Sequence, residues 1–214
     1  KDGSCGQSFH RGYHRWVQGI ASTCNVRVAT DFSGMPDGGP MRFAPERGTI
    51  RLVMRILLVN PPPYSRSDQY DTPDFPRLGL ACVAGELMAR EGAQVEIVDA
   101  KFERLDYDAV LARVRAFRPD VVGLTAMTNE VIQAGLVAQR VKRLDASIVT
   151  VIGGVHVSVL PLRTLEEFPA FDFGVIGDGE VTFRELVAAL GRGGDPGAVA
   201  GLVLHMQVRA STAM

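Results

Sequence analysis

The sequence predicts an α/β fold: a three-layer sandwich of flavodoxin-like or Rossmann-like type, with a five-stranded parallel sheet between helical layers. Three observations predict it. Short β-branched apolar runs alternate five times with segments whose apolar residues recur at helical spacing. The runs are continuous rather than alternating, as in strands buried on both faces. Turn formers such as Asn60-Pro61-Pro62-Pro63 and Gly153-Gly154 punctuate them. Strands separated by helices build a parallel sheet, because each right-handed crossover lays its helix on a sheet face.

The elements follow in order. Residues 55–59 (Arg-Ile-Leu-Leu-Val) form the first strand, stopped by prolines that cannot donate to a ladder. A loop runs through Pro76. Residues 78–91 are helical, with Leu80, Val83, Ala84, Leu87 and Met88 on one face and Gly92 as C-terminal cap. Cys82 is placed in that helix as a core residue. Residues 94–100 are the second strand, 107–117 a helix closed by Pro119, and 120–125 the third strand. Asn129 is placed as the cap of a helix reaching about Leu144. The fourth strand, 147–152, ends at Gly153-Gly154-Val155-His156-Val157-Ser158. A short helix over 162–168, a fifth strand over 171–176 and a helix over 182–190 complete the unit.

The flanks read differently. Residues 1–53 are rich in Gly, Ser, Arg and Pro without periodicity, and are expected to be a poorly ordered leader that need not be native coding sequence. Met54 is a natural start. Cys5, His10, His14 and Cys24 have the residue types of zinc ligands, but unrelated residues in a loose leader is the stronger reading. The domain is expected over 54–190. Residues 191–214 are expected to be a linker and the truncated start of a following region, with 198–204 as its opening strand.

Composition narrows the function. Of the 214 residues, 46% are apolar, as in an ordinary globular protein, and the formal net charge is −1, so no field draws nucleic acid or an anionic membrane. No apolar run approaches the ~20 residues that span a bilayer, and no signal peptide is present, so a cytoplasmic location is expected. Three scattered cysteines with no C-x-x-C argue against a disulfide scaffold and against a cluster held by this chain.

Ligands of such sheets sit at the carboxyl ends of the strands. The loops gathered there are 60–63, 125–129, 153–158 and 177–180. The first holds three prolines, which lack the N–H groups a phosphate cradle needs, and no G-x-G-x-x-G occurs there. The acidic residues of a receiver domain and the G-x-S-x-G of a hydrolase are also missing. What remains is a groove of small, apolar and hydroxyl groups suited to a large ligand held by shape, with Thr125, Thr128 and Ser158 each able to offer a hydrogen bond. The candidate binding residues are Asn60, Pro61, Pro62, Thr125, Met127, Thr128, Gly153, Gly154, His156, Ser158, Gly177, Gly179 and Glu180, with no catalytic or metal-ligating residue among them. His156 reads equally as a structural turn residue or as a functional one, coordinating a metal or donating a hydrogen bond to a ligand; Asp178 and Glu180 read as helix-end charges, with Glu180 alternatively meeting a ligand or a neighbouring domain.

Six segments in this order carry a family resemblance. They are Ile56-Leu57-Leu58-Val59-Asn60-Pro61-Pro62, Arg77-Leu78-Gly79-Leu80, Val95-Glu96-Ile97-Val98-Asp99-Ala100, Pro119-Asp120-Val121-Val122-Gly123-Leu124-Thr125, Gly153-Gly154-Val155-His156-Val157-Ser158 and Ile176-Gly177-Asp178-Gly179-Glu180-Val181-Thr182-Phe183. Over about 54–204 the chain resembles the N-terminal cobalamin (vitamin B12)-binding domain of cobalamin-dependent radical SAM enzymes. The resemblance implies a corrin ring against the carboxyl edge and a nucleotide tail running into the sheet. Thr125 matches the small hydroxyl beside that tail, and Gly153 and Gly154 match glycines that give it room. The D-x-H-x-x-G that supplies a lower cobalt ligand in many cobalamin domains is replaced here by Asn60-Pro61-Pro62-Pro63-Tyr64-Ser65, which leaves cobalt's lower face open or met by another side chain.

It further implies a methyltransferase- or cyclase-type parent. There, a radical SAM domain in cis would supply a [4Fe–4S] cluster and S-adenosylmethionine, and this fragment would be non-catalytic alone. The alternatives are a vestigial domain that docks substrate or partner without cofactor, an oxidoreductase or transferase using flavin or nucleotide, and a stand-alone regulatory or structural domain.

Overall fold

The computed structural model describes residues 53–64 and 77–205. The expected leader, apart from its last residue, and the imagined zinc ligands Cys5, His10, His14 and Cys24 lie outside the described residues. No described helix is long and apolar enough to cross a membrane.

The sheet has six strands: β1 (Arg55–Asn60), β2 (Gln94–Asp99), β3 (Val121–Thr125), β4 (Val149–Gly153), β5 (Phe173–Val175) and β6 (Leu202–Leu204). Their spatial order is β2-β1-β3-β4-β5-β6. The first five are parallel, in the order of flavodoxin-like folds, and β6 pairs antiparallel with β5, Val203 opposite Gly174. The expected count of five is therefore corrected to six. The strand expected to open a following region closes this sheet instead: residues 193–201 bring the chain back to the carboxyl edge, and Val203 is buried in the core.

The helices are α1 (Leu78–Glu91), α2 (Tyr107–Phe117), α3 (Val131–Leu144), α4 (Val155–Val159), α5 (Pro161–Glu167) and α6 (Gly179–Arg192). β1 sorts its side chains by the period of two. Ile56 and Leu58 pack with Leu80, Ala84 and Leu87 of α1 and Phe183, Leu186 and Val187 of α6. Leu57 and Val59 pack with Val110 and Val114 of α2 and Ala134, Val137 and Val141 of α3 on the opposite face. Each of these Val, Leu, Ile and Phe side chains, fully buried, contributes ~1.5–3 kcal/mol of transfer free energy.

Several helix ends follow local chemistry. Gly92 adopts the left-handed conformation as the cap of α1, as its position predicts. Asp106 caps α2, accepting from the Ala109 amide at 2.9 Å. Others depart from the sequence reading. Cys82 is exposed, because the buried stripe of α1 runs through Leu80, Ala84 and Leu87 and position 82 falls off it. Glu130, not Asn129, precedes α3, for a reason that belongs to the edge described below. α4 has no counterpart in the sequence reading, since Val155, Val157 and Val159 look like strand, not helix.

Burial pushes the Glu96 and Glu103 carboxyls above their usual range, against the opposing pull of Arg113. They belong to the β2 side of the sheet and do not line the cleft described next.

Candidate functional site

A slot of about 210 Å³ opens at the carboxyl edge, between α1 and α6 and over the strands β1, β3, β4 and β5. It spans the point where the strand order reverses between β1 and β3, the usual ligand position in open parallel sheets. Its deep walls are Leu58, Val151, Val175 and Phe183, each at most 4% exposed, with Gly123 between them. Leu80 and Val83 of α1 close one side. The polar groups, Thr125, Asp178 and Glu180, are half-buried or exposed and stand towards the mouth.

Two glycines give the slot its shape. A β-carbon on Gly123 would sit 2.9 Å from Leu58 Cδ2 and 3.1 Å from Phe183, so any side chain there displaces a wall. Gly79, in the first turn of α1, has nothing within 4 Å of where its β-carbon would be, and that open space belongs to the slot. α1 and α6 both begin at this edge, and neither Arg77 nor Asp178 caps its own helix with a side chain.

The structure gathers some of the sequence candidates here and sets others apart. Thr125, Gly153, Gly154, Gly177, Gly179 and Glu180 line the slot. Asn60, Pro61, Pro62, Met127, Thr128, His156 and Ser158 do not. Asn60 is fully buried and donates to Asp99 Oδ1 at 2.7 Å. Pro61 and Pro62 are buried beside it, and Met127 is exposed.

His156, 6% exposed, has Nδ1 3.3 Å from Thr128 Oγ1. The Ser158 hydroxyl donates to the Gly154 carbonyl at 2.8 Å and accepts from the Gly177 amide at 2.9 Å. Thr128 and Ser158 therefore hold loops, and Ser158 joins two glycines of the slot wall. Of the three expected hydroxyls, only that of Thr125 lines the slot. Leu58, Gly79, Leu80, Val83, Gly123, Val151, Val175, Asp178 and Phe183 were not among the candidates; those in strand and helix interiors read as ordinary core, and only the tertiary arrangement leaves space in front of them. Among the described residues, no group of three or more His, Cys, Asp and Glu side chains is placed to hold a metal ion.

A second feature escaped the sequence reading. Glu130 is 4% exposed and its carboxylate gathers three loops. It accepts from Arg77 Nη2 at the start of α1, from Lys101 Nζ after β2 at 2.7 Å, and from the Met127 amide after β3 at 2.9 Å. Asp99 extends the network: it accepts from Asn60 and from the Arg77 and Phe102 amides. These bonds tie down the rim beside the slot. They also explain why Glu130 takes the position before α3: its carboxylate reaches back to Met127.

Gly154 has φ of +98° and ψ of −171°, a region nearly restricted to glycine. A larger residue at 154 would be harmless to folding only at negative φ, and that condition is not met. A β-carbon would also approach the Ala126 carbonyl oxygen to 2.8 Å and Thr125 Oγ1 to 2.9 Å. Gly154→Ala should therefore destabilise the domain by about 3 kcal/mol. Urea denaturation followed by circular dichroism reads this; an unchanged midpoint would show that the loop relaxes freely.

Comparison with known proteins places this geometry. The model of the B12 binding domain matches residues 71–187, more than half of the chain. An uncharacterized methyltransferase of Pyrococcus horikoshii is 39% identical over 150 residues, covering 70% of this chain and 32% of that protein. The anaerobic magnesium-protoporphyrin IX monomethyl ester cyclase of Rubrivivax gelatinosus is 34% identical over 140 residues, covering 65% of this chain and 25% of that protein. The chain thus spans about a third or less of these curated relatives. Among solved structures, the cobalamin-dependent S-adenosylmethionine radical enzyme OxsB, with aqua-cobalamin and S-adenosylmethionine bound, shares the fold. Its TM-score is 0.59 at 20% identity, over 71% of this chain and 21% of that one.

Proposed function

The chain belongs to the B12-binding domain family, and from that premise we propose that it holds cobalamin with the nucleotide tail in the slot between α1 and α6 and the corrin ring over the carboxyl edge. The observation that carries this reading is the slot itself, which runs from the edge down to Gly123 in the middle of β3. A flat heterocyclic base fits between its apolar walls, and Gly79, Gly153 and Gly177 leave the entrance free of side chains. The amino ends of α1 and α6 favour an anionic phosphodiester near the mouth. Thr125 is positioned to give the tail a hydrogen bond.

Bound cobalamin supplies a redox-active cobalt centre. This chain's own residues supply shape and the exclusion of water. Neither Asn60 nor His156 lines the slot: Asn60 is buried with its amide donating to Asp99, and His156 is buried with Nδ1 3.3 Å from Thr128 Oγ1. The parent enzyme, in this reading, is a radical SAM methyltransferase or cyclase in which a domain in cis provides the [4Fe–4S] cluster and S-adenosylmethionine. The names of the methyltransferase and cyclase relatives and of the OxsB structure support it.

The test is direct. The full chain mixed with hydroxocobalamin well above micromolar concentration and passed through a gel-filtration column should elute with corrin absorbance. Elution without it would refute the cofactor reading and favour a vestigial domain that docks substrate or partner.

A further inference from the structure

The walls of the slot are chemically uneven along its depth. The buried part, Leu58, Val151, Val175 and Phe183 around Gly123, holds no side-chain donor or acceptor. The strand backbones behind it are paired with one another: Val121 to Thr125 of β3 lie in register with Val149 to Gly153 of β4. Every polar side chain of the slot, Thr125, Asp178 and Glu180, is in its shallow, solvated part. A group pushed to the floor therefore meets hydrocarbon alone.

We propose that this slot selects among corrinoids by the lower base, favouring a benzimidazole whose far edge is apolar over a purine. The inference rests on the reading that the tail enters the slot. Corrinoid tails differ in the base joined to the ribose. In dimethylbenzimidazole the edge farthest from the ribose carries two methyl groups. In adenine the same edge carries an exocyclic amine and ring nitrogens. Inserted edge-first, the methyl groups bury apolar area against Leu58, Val151 and Phe183, while the amine and ring nitrogens lose water and gain no partner.

Beside Gly123, where a β-carbon would meet Leu58 and Phe183, a bridging water would find hydrocarbon rather than the two or more polar partners that hold a water in place. Apolar pockets reject a polar intruder only moderately, so the discrimination should be about 10- to 100-fold in dissociation constant. The sequence could not disclose this, because Leu58, Val151 and Phe183 are ordinary core residues until α1 and α6 are placed apart at this edge.

The experiment titrates the full chain with three corrinoids carrying the same upper ligand: cobalamin, the adenine-based cobamide, and cobinamide, which has no nucleotide tail. Absorbance or calorimetry gives each dissociation constant. The expected order is cobalamin tightest, the adenine form about 10- to 100-fold weaker, and cobinamide clearly weaker than cobalamin. Equal or tighter binding of the adenine form, with both exceeding cobinamide, would overturn the selectivity and leave the tail reading standing. Cobinamide binding as tightly as cobalamin would overturn both, since the tail would then contribute nothing. No binding of any of the three would overturn the cofactor reading and the selectivity with it.

Discussion

Gly79→Phe should abolish tight corrinoid binding while the domain folds as before. Gly79 lines the slot from the first turn of α1, has nothing within 4 Å of where a β-carbon would be, and has no positive φ. The substitution therefore meets no steric barrier and removes a helical glycine, a gain of up to ~1 kcal/mol in helix propensity. The new ring takes the room that the tail would occupy. A bicyclic base that can no longer bury ~100–150 Å² of apolar surface forfeits ~3 kcal/mol, or roughly a hundredfold in affinity.

Val83→Trp, one turn further along the same face of α1, should act alike. Both variants should bind cobalamin no better than cobinamide. Thermal melting should be unchanged or slightly raised for Gly79→Phe. Variants that fold normally and still bind cobalamin at the wild-type level would remove the slot from the site.

Glu130→Leu is expected to produce the largest loss of stability, about 3–5 kcal/mol, because it takes the carboxylate partner from the buried Lys101 ammonium and from Arg77. Against a total of ~5–15 kcal/mol for a domain, that is a substantial fraction. The pairing of Glu130 with Lys101, both about 5% exposed at the side chain, also sets the companion variant. Adding Lys101→Met to Glu130→Leu should recover part of the loss, since the buried charge that lost its carboxylate is then gone. Equilibrium urea unfolding measures both. A Glu130→Leu protein within ~1 kcal/mol of wild type would mean that the network contributes little, and that the three loops hold their places by packing alone.

These two experiments address different halves of the edge. The slot is built from small and apolar residues on α1, α6 and four strands; the neighbouring rim is built from charge, on the loops after β2 and β3 and at the start of α1. The sequence reading anticipated the loops after β1, β3, β4 and β5 but not the loop after β2, whose Lys101 looks like an ordinary surface lysine. A lysine 4% exposed is exceptional, and its ion pair with Glu130 helps to make that burial tolerable.

The alternation of apolar runs and helical stripes determined the five parallel strands and five of the six described helices, because hydrophobic periodicity is a local property that survives in almost any context. Gly92 likewise announced its helix boundary through chemistry confined to one turn. Tertiary structure decided the rest. It made a helix of Val155–Val159 against the preference of its valines, turned Leu202–Leu204 back as an antiparallel sixth strand, and withdrew the hydroxyls of Thr128 and Ser158 from the slot to hold loops. Above all, it separated α1 and α6 at one end so that a slot opens beside Leu58, Val151 and Phe183. A cavity is the absence of packing between residues distant in the chain, and no local pattern of side chains encodes an absence.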